Sequence, residues 1–138
     1  MIVGTGIDAT EIRRIRDSIE RFGSRFLRRV FTAEEQAYCL RKRKKSAESF
    51  AARFAAKEAC AKALGTGISR GITWLEIEVR RAPGAHPTLC LHGRAAQRAA
   101  RLGVTHISLS LTHSGSLALA SVVLESLPQS ETNTSPSS

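Results

Sequence analysis

At 138 residues with 42% hydrophobic content, the chain is most simply one globular domain, long enough for an ordinary core and neither disordered nor fibrous. No run approaches bilayer-spanning length, no basic-then-apolar signal pattern opens the chain, and Cys39, Cys60 and Cys90 lack CxxC spacing, so a reduced, cytoplasmic protein without disulfides or a zinc site is expected. The net charge of +9 calls for a polyanionic partner, while 5% aromatic residues leave few platforms for stacking unpaired bases.

Residues 2–7 (IVGTGI) read as a short strand, and ATEIRRIRDSIER (9–21) as a helix with Ile12, Ile15 and Ile19 on one side and arginines on the other. Arg25 to Val30 adds another turn or two. Thr32-Ala33-Glu34-Glu35 is a capping-box pattern that opens a helix to about Arg43, ended by RKRKK at 41–45, where cations suit the negative end of the dipole. An Ala-rich helix over about 47–64 stops at Gly65-Thr66-Gly67. Thereafter the period changes. WLEIEV (74–79) and TLCL (88–91) read as strands, AAQRAARLG (95–103) as a short helix, and 106–125 as two strands joined at THSGS. This is an α+β pattern, helices in the first half and mostly antiparallel strands in the second. Residues 1–126 form the expected domain, and the Ser/Thr-rich 127–138 a disordered polar tail.

The helix FAARFAAKEACAKALG (50–65) is chemically the most informative stretch. Phe50, Phe54 and Ala61 share one face, and Ala52, Ala56, Ala59 and Ala63 form a small-residue face roughly opposite. A helix apolar on two sides is buried, yet this one carries Arg53 and Lys57 along one edge and Glu58 and Lys62 along the other. A surface Glu58–Lys62 pair returns only about 0.2–0.5 kcal/mol. Burying charge costs several kcal/mol, so these charges are expected to line a cleft or an interface.

Asp8 has two local readings. Asp8-Ala9-Thr10-Glu11 has the form of an N-terminal cap. The glycines around it do not complete a dinucleotide fingerprint, because position 9 is Ala, and no GK[ST] phosphate loop occurs. His113, in SLTHSGS, is flanked by hydroxyls that suit a phosphate, although a lone turn histidine is most often simply solvated. No spacing suggests a nucleophilic triad.

Taken together, GTGIDATEIRRI and FAARFAAKEACAKALGTGI (50–68), with FTAEEQAYC (31–39) and SLSLTHSGSLALASVVLE (108–125), resemble the holo-acyl-carrier-protein synthases, the small phosphopantetheinyl transferases. The resemblance spans roughly residues 2–125 and implies a phosphopantetheinyl transferase-like fold, N-terminal helices packed on a mostly antiparallel sheet. It implies transfer of the phosphopantetheine arm of coenzyme A to a serine of apo-acyl carrier protein, releasing adenosine 3′,5′-bisphosphate. By the same resemblance Asp8 and Glu58 are magnesium ligands, and Lys62 lies at the pyrophosphate. Gly65, Thr66, Gly67, His113 and Arg53 are implied to belong to the coenzyme site, and Arg14, Arg21 and Arg25 to dock the acidic carrier. A homotrimer with sites shared between subunits is implied as well. Magnesium takes one or two carboxylates plus waters and phosphate oxygens, so two acids from distant segments suffice. Glu58 or a metal-bound water could accept the serine proton. Ala9-Thr10 and Ser114 depart from the family pattern; the first pair is expected to loosen the packing of the first helix and spare the carboxylate, and Ser114 keeps the hydroxyl. The competing reading is a non-catalytic basic module that binds nucleic acid through RKRKK and the first helix, with Asp8 and Glu58 structural.

Overall fold

In the computed structural model, which describes residues 1–128, the N-terminal strand outruns its expected length. β1 spans Ile2–Glu11, and α1 (Ile12–Phe22) begins only after it. The cap expected of Asp8 and Glu11 therefore does not form. Glu11 takes the N-cap position with no side-chain bond, and Asp8 instead accepts the Thr10 hydroxyl at 2.8 Å. The cause is β5 (Leu117–Glu125), which pairs antiparallel with β1 as far as Glu11 opposite Leu117 and satisfies the backbone that a helix would otherwise have claimed.

After Gly23 comes α2 (Ser24–Val30), then α3 (Ala33–Leu40), which opens on the expected capping box between Thr32 and Glu35. It ends three residues before Arg43. The basic run is an exposed connection, with a short 3₁₀ turn at Arg43–Lys45 leading into α4 (Ser46–Ala63). One side of α4 packs Phe50 and Phe54 among Ile12, Ile15, Val30 and Phe31; the other joins Ala55, Ala59 and Ala63 to the main cluster.

The stretch WLEIEV is divided. Trp74–Glu76 forms a 3₁₀ turn, and only Ile77–Arg80 is strand, β2, paired antiparallel with β3 (Thr88–Leu91). Glu76 accounts for the break. Its carboxylate accepts Thr73 N at 2.9 Å and also the backbone amides of Arg94 and Ala95 at the start of α5 (Gly93–Leu102), serving two helical N-termini at once. β4 (His106–Ser114) returns to β5 through Gly115, completing a sheet of order β1-β5-β4. The α+β pattern holds, and the first residues of the chain complete the sheet made by the last. The tail expected over 127–138 falls, from 129 on, outside the described residues.

Gly4 and Gly6 set the spacing between sheet and helix. A Cβ built on Gly4 would fall on the carbonyl oxygen of Ala63, and one on Gly6 on that of Ala59. Side chains are excluded here because β1 backbone lies directly on α4 backbone. The inner face of the sheet, with Ala118, Ala120, Val122 and Leu124, is buried against α4, whereas Thr5, Ile7, Ala9, Ser108, Ser110, Thr112, Leu117 and Ser121 are exposed on the other side.

Candidate active site

Two steps along β1 match one turn of α4, with Gly4 over Ala63 and Gly6 over Ala59. Two residues further along the same face of β1, Asp8 meets Lys62 of α4. Asp8 Oδ1 receives Lys62 Nζ at 2.9 Å, and the same ammonium donates to the Ile7 carbonyl at 3.1 Å. The Lys62 side chain is 53% exposed, so its charge is displayed to solvent while its stem is anchored. Glu58 does not pair with Lys62. Its Oε1 accepts the indole Nε1–H of Trp74 at 3.0 Å, and its Oε2 takes no hydrogen bond among the described residues.

Lys57, one residue earlier, is fully buried. Its ammonium donates to Glu35 Oε1 (2.7 Å), the Ile77 carbonyl (2.7 Å) and the Trp74 carbonyl (2.9 Å). Burial lowers the Lys57 pKa below its ordinary value, against the pull of Glu35. Glu35 Oε2 in turn accepts Val79 N, so one ion pair ties α4, α3 and β2 together. The cleft or interface expected for every charge on this helix does not apply to Lys57, whose alanine neighbours give no sign of the distant carboxylate that satisfies it.

Arg53 faces a second group. It is 4% exposed, lies 4.0 Å from the centroid of the Tyr38 ring and donates to Ser49, while its Nε has no partner among the described residues. Arg53, Tyr38, Lys42, Lys45, Arg81 and His113 line one depression of about 250 Å³. Burial would raise the Tyr38 hydroxyl, but Lys42 and Arg53 outweigh it and bring the hydroxyl below its usual value. Arg53 and Lys62 are nine residues apart on one helix, about 180° around it, so a single chain does not bring these two coenzyme candidates together.

The remaining candidates fall in two further places. Gly65 and Gly67 have φ of 80° and 63°, and the amides of Thr66 and Gly67 close the end of α4 on the Ala61 carbonyl. Thr66 shares a depression with Arg70, Arg94, Arg98 and Arg101, cations that sequence reading had not connected to it. Arg14 and Arg21 line a groove along α1 with Phe22, and Arg25 lines the adjoining one with Phe22, Phe26 and Arg29. Phe22 is half exposed between them.

For a divalent cation, Asp8 and Glu58 offer hard carboxylate oxygens, and Glu58 Oε2 is open to one; that donor set fits magnesium. A different group, Glu78, Cys90 and His92, brings mixed donor atoms within 4.8 Å of one another. Thiol and imidazole are not magnesium donors, and Glu78 is already engaged by Thr32, Arg80 and His92. Burial pushes the Cys60 thiol up to about 12 and raises Cys39 also, so neither is poised as a nucleophile.

A family model described as the 4′-phosphopantetheinyl transferase superfamily matches residues 4–122. The chain is 54% identical over 125 residues to a holo-[acyl-carrier-protein] synthase of Koribacter versatilis, covering 91% of this chain and 99% of that protein. Among solved structures, the holo-[acyl-carrier-protein] synthase of Neisseria meningitidis superposes with a TM-score of 0.81 at 33% identity, over 91% of this chain and 99% of that one. The Helicobacter pylori holo-[acyl-carrier-protein] synthase, crystallised with coenzyme A, gives 0.77 at 32% identity, over 88% and 99%.

Proposed function

This chain belongs to the 4′-phosphopantetheinyl transferase superfamily, and we propose that its site is built around Asp8, Glu58 and Lys62, with magnesium held by the two acids. The reaction is that of a holo-[acyl-carrier-protein] synthase, transfer of the 4′-phosphopantetheine arm of coenzyme A to a serine hydroxyl of apo-acyl carrier protein with release of adenosine 3′,5′-bisphosphate. The Asp8–Lys62 contact carries the placement. It joins a strand and a helix across 54 residues of sequence at an exposed position, where a paired ammonium can be offered to an anionic ligand.

Held by Asp8 and Glu58, magnesium would supply charge neutralisation at the pyrophosphate. The chain's own residues do the positioning. Lys62, pre-held by Asp8 and the Ile7 carbonyl, supplies a fixed positive charge beside the carboxylates at the pyrophosphate. The turn at Gly65-Thr66-Gly67, which closes the end of α4 on the Ala61 carbonyl, is the proposed contact with the coenzyme. Arg53, with an unpartnered buried Nε, and His113, Lys42 and Lys45 offer a second phosphate-binding group.

That second group lies on the far edge of α4 from Lys62, which favours a site completed by a neighbouring copy. The sheet face bearing Ile7 and Leu117, with no element of the described residues over it, suits self-association. A homotrimer is the proposed assembly, and light scattering after size exclusion tests it: about three times the 15.0 kDa chain mass supports it, and a monomer at working concentration rejects it. The acidic carrier is placed along α1 and α2 at Arg14, Arg21 and Arg25, with Phe22 between them. The basic groups thus sort into separate patches, an arrangement that does not favour the continuous stripe of a nucleic-acid-binding module. No helix of the described residues is long and apolar enough to cross a membrane.

Loss of transfer in both Asp8→Ala and Glu58→Ala, with an unaltered circular dichroism spectrum, tests the site; wild-type turnover in either removes that acid from it.

A further inference from the structure

We propose that Trp74 is a positioning residue that aims the Glu58 carboxylate at the bound cation, and that the chain's single tryptophan therefore reports cation binding directly. The inference rests on Glu58 being a cation ligand, as read above.

Trp74 stands in the 3₁₀ turn between α4 and β2, and its Nε1–H donates to Glu58 Oε1 at 3.0 Å. The ring is fixed independently of that bond. It stacks on Phe54 at 6.2 Å between centroids and 29° between planes, with the Arg29 guanidinium 5.9 Å from its centroid. Its backbone is fixed as well, because the Trp74 carbonyl accepts Lys57 Nζ, itself locked on Glu35. Two adjacent residues of α4 thus hold the same turn, Lys57 by its backbone and Glu58 by its side chain.

Glu58 is free to be aimed because its expected helical partner is occupied elsewhere, Lys62 having gone to Asp8. A glutamate side chain on a half-buried helix otherwise samples several rotamers. The indole N–H holds Oε1 and leaves Oε2 unbonded. Being uncharged and donor-only, it orients the carboxylate without neutralising it, unlike an ammonium in the same place. Groups that orient a ligand in this way typically change metal affinity or activity by about 10–100-fold when removed.

The test uses the full-length protein and has two readings. With one tryptophan in the chain, emission excited at the red edge of its absorption reports this ring alone. Titration with MgCl₂ at constant ionic strength should change wild-type emission saturably, and the same titration of Glu58→Gln should not. A flat wild-type titration overturns the proposal. In the second reading, Trp74→Phe keeps the ring and removes the donor. It should raise the magnesium concentration for half-maximal transfer about ten-fold, leave KM for the carrier unchanged, and recover most of its kcat at saturating magnesium. Unaltered magnesium dependence with a folded variant overturns the positioning role, and if Trp74→Phe fails to fold, the titrations of wild type and Glu58→Gln decide. The underlying reading fails separately: a Glu58→Ala enzyme with wild-type turnover removes Glu58 from the site, whatever Trp74 does.

Discussion

Lys62 reaches Asp8 at 2.9 Å in preference to Glu58, its neighbour one helical turn away. That choice leaves Glu58 without a cationic partner and displays the ammonium beside Asp8, whose other oxygen accepts the Thr10 hydroxyl. Because the contact is half-exposed, it contributes only about 0–1 kcal/mol to stability. Asp8→Ala should therefore lower the melting temperature by no more than a few degrees while reducing kcat at least about 100-fold. A comparable fall in both would assign Asp8 to the fold instead.

Gly6→Ala tests the geometry that delivers Asp8. The added methyl meets the Ala59 backbone carbonyl, which cannot turn aside as a side chain would. A cost of about 1–3 kcal/mol or more is expected in urea denaturation, together with lost transfer as β1 lifts from α4. Wild-type stability would show that the strand has room to move.

Lys57→Met strands Glu35 in the core. Removing one partner of a buried pair costs about 3–5 kcal/mol, and a second change, Glu35→Met, should return part of that loss. Recovery will be incomplete because Glu35 also serves the Thr32 and Val79 amides. Strict additivity of the two substitutions would argue against the coupling.

Two carboxylates contribute to the acid sensitivity of the fold. Burial would raise the Glu78 carboxyl, but hydrogen bonds from His92 and Thr32 and the nearby Arg80 outweigh it, so it lies below its ordinary value. Glu76 is likewise lowered, the amides of Thr73, Arg94 and Ala95 prevailing over burial. Both depressed groups bind protons more readily in the unfolded chain. Their contribution is therefore present above the ordinary carboxylate value of 4.5 and lost as pH falls through the lower folded values. Glu76→Gln should flatten the fall in melting temperature below pH 4.5; an unchanged slope would contradict this.

Arg14→Glu or Arg21→Glu should raise KM for the carrier severalfold and weaken its salt dependence, with kcat at saturating carrier nearly intact. An unchanged KM in both would move carrier docking off α1.

Much of this was readable from local chemistry. Thr32 and Glu35 announced the start of α3, Gly65 and Gly67 the end of α4, and the alternation over 106–125 the hairpin. Ala59 and Ala63 announced a close contact, and the glycines of GTG are its other half. Other features depend on partners remote in sequence. Asp8 to Glu11 look like a cap until β5 claims their backbone, and Glu76 breaks an alternating strand because α5 needs its carboxylate. Lys57 and Lys62 are both lysines on an Ala-rich helix, yet one is sealed on Glu35 and the other exposed on Asp8, a distinction that no periodicity encodes. The proposed magnesium ligands and coenzyme contacts rest on family resemblance, since two lone acids have no spacing of their own.

Mass spectrometry of intact apo-acyl carrier protein, incubated with this protein and coenzyme A, tests the central claim most directly. With Mg²⁺ the carrier should gain one phosphopantetheine, and EDTA, Asp8→Ala or Glu58→Ala should each abolish the gain. Transfer that persists undiminished in EDTA and in both variants would contradict the magnesium site placed at Asp8 and Glu58.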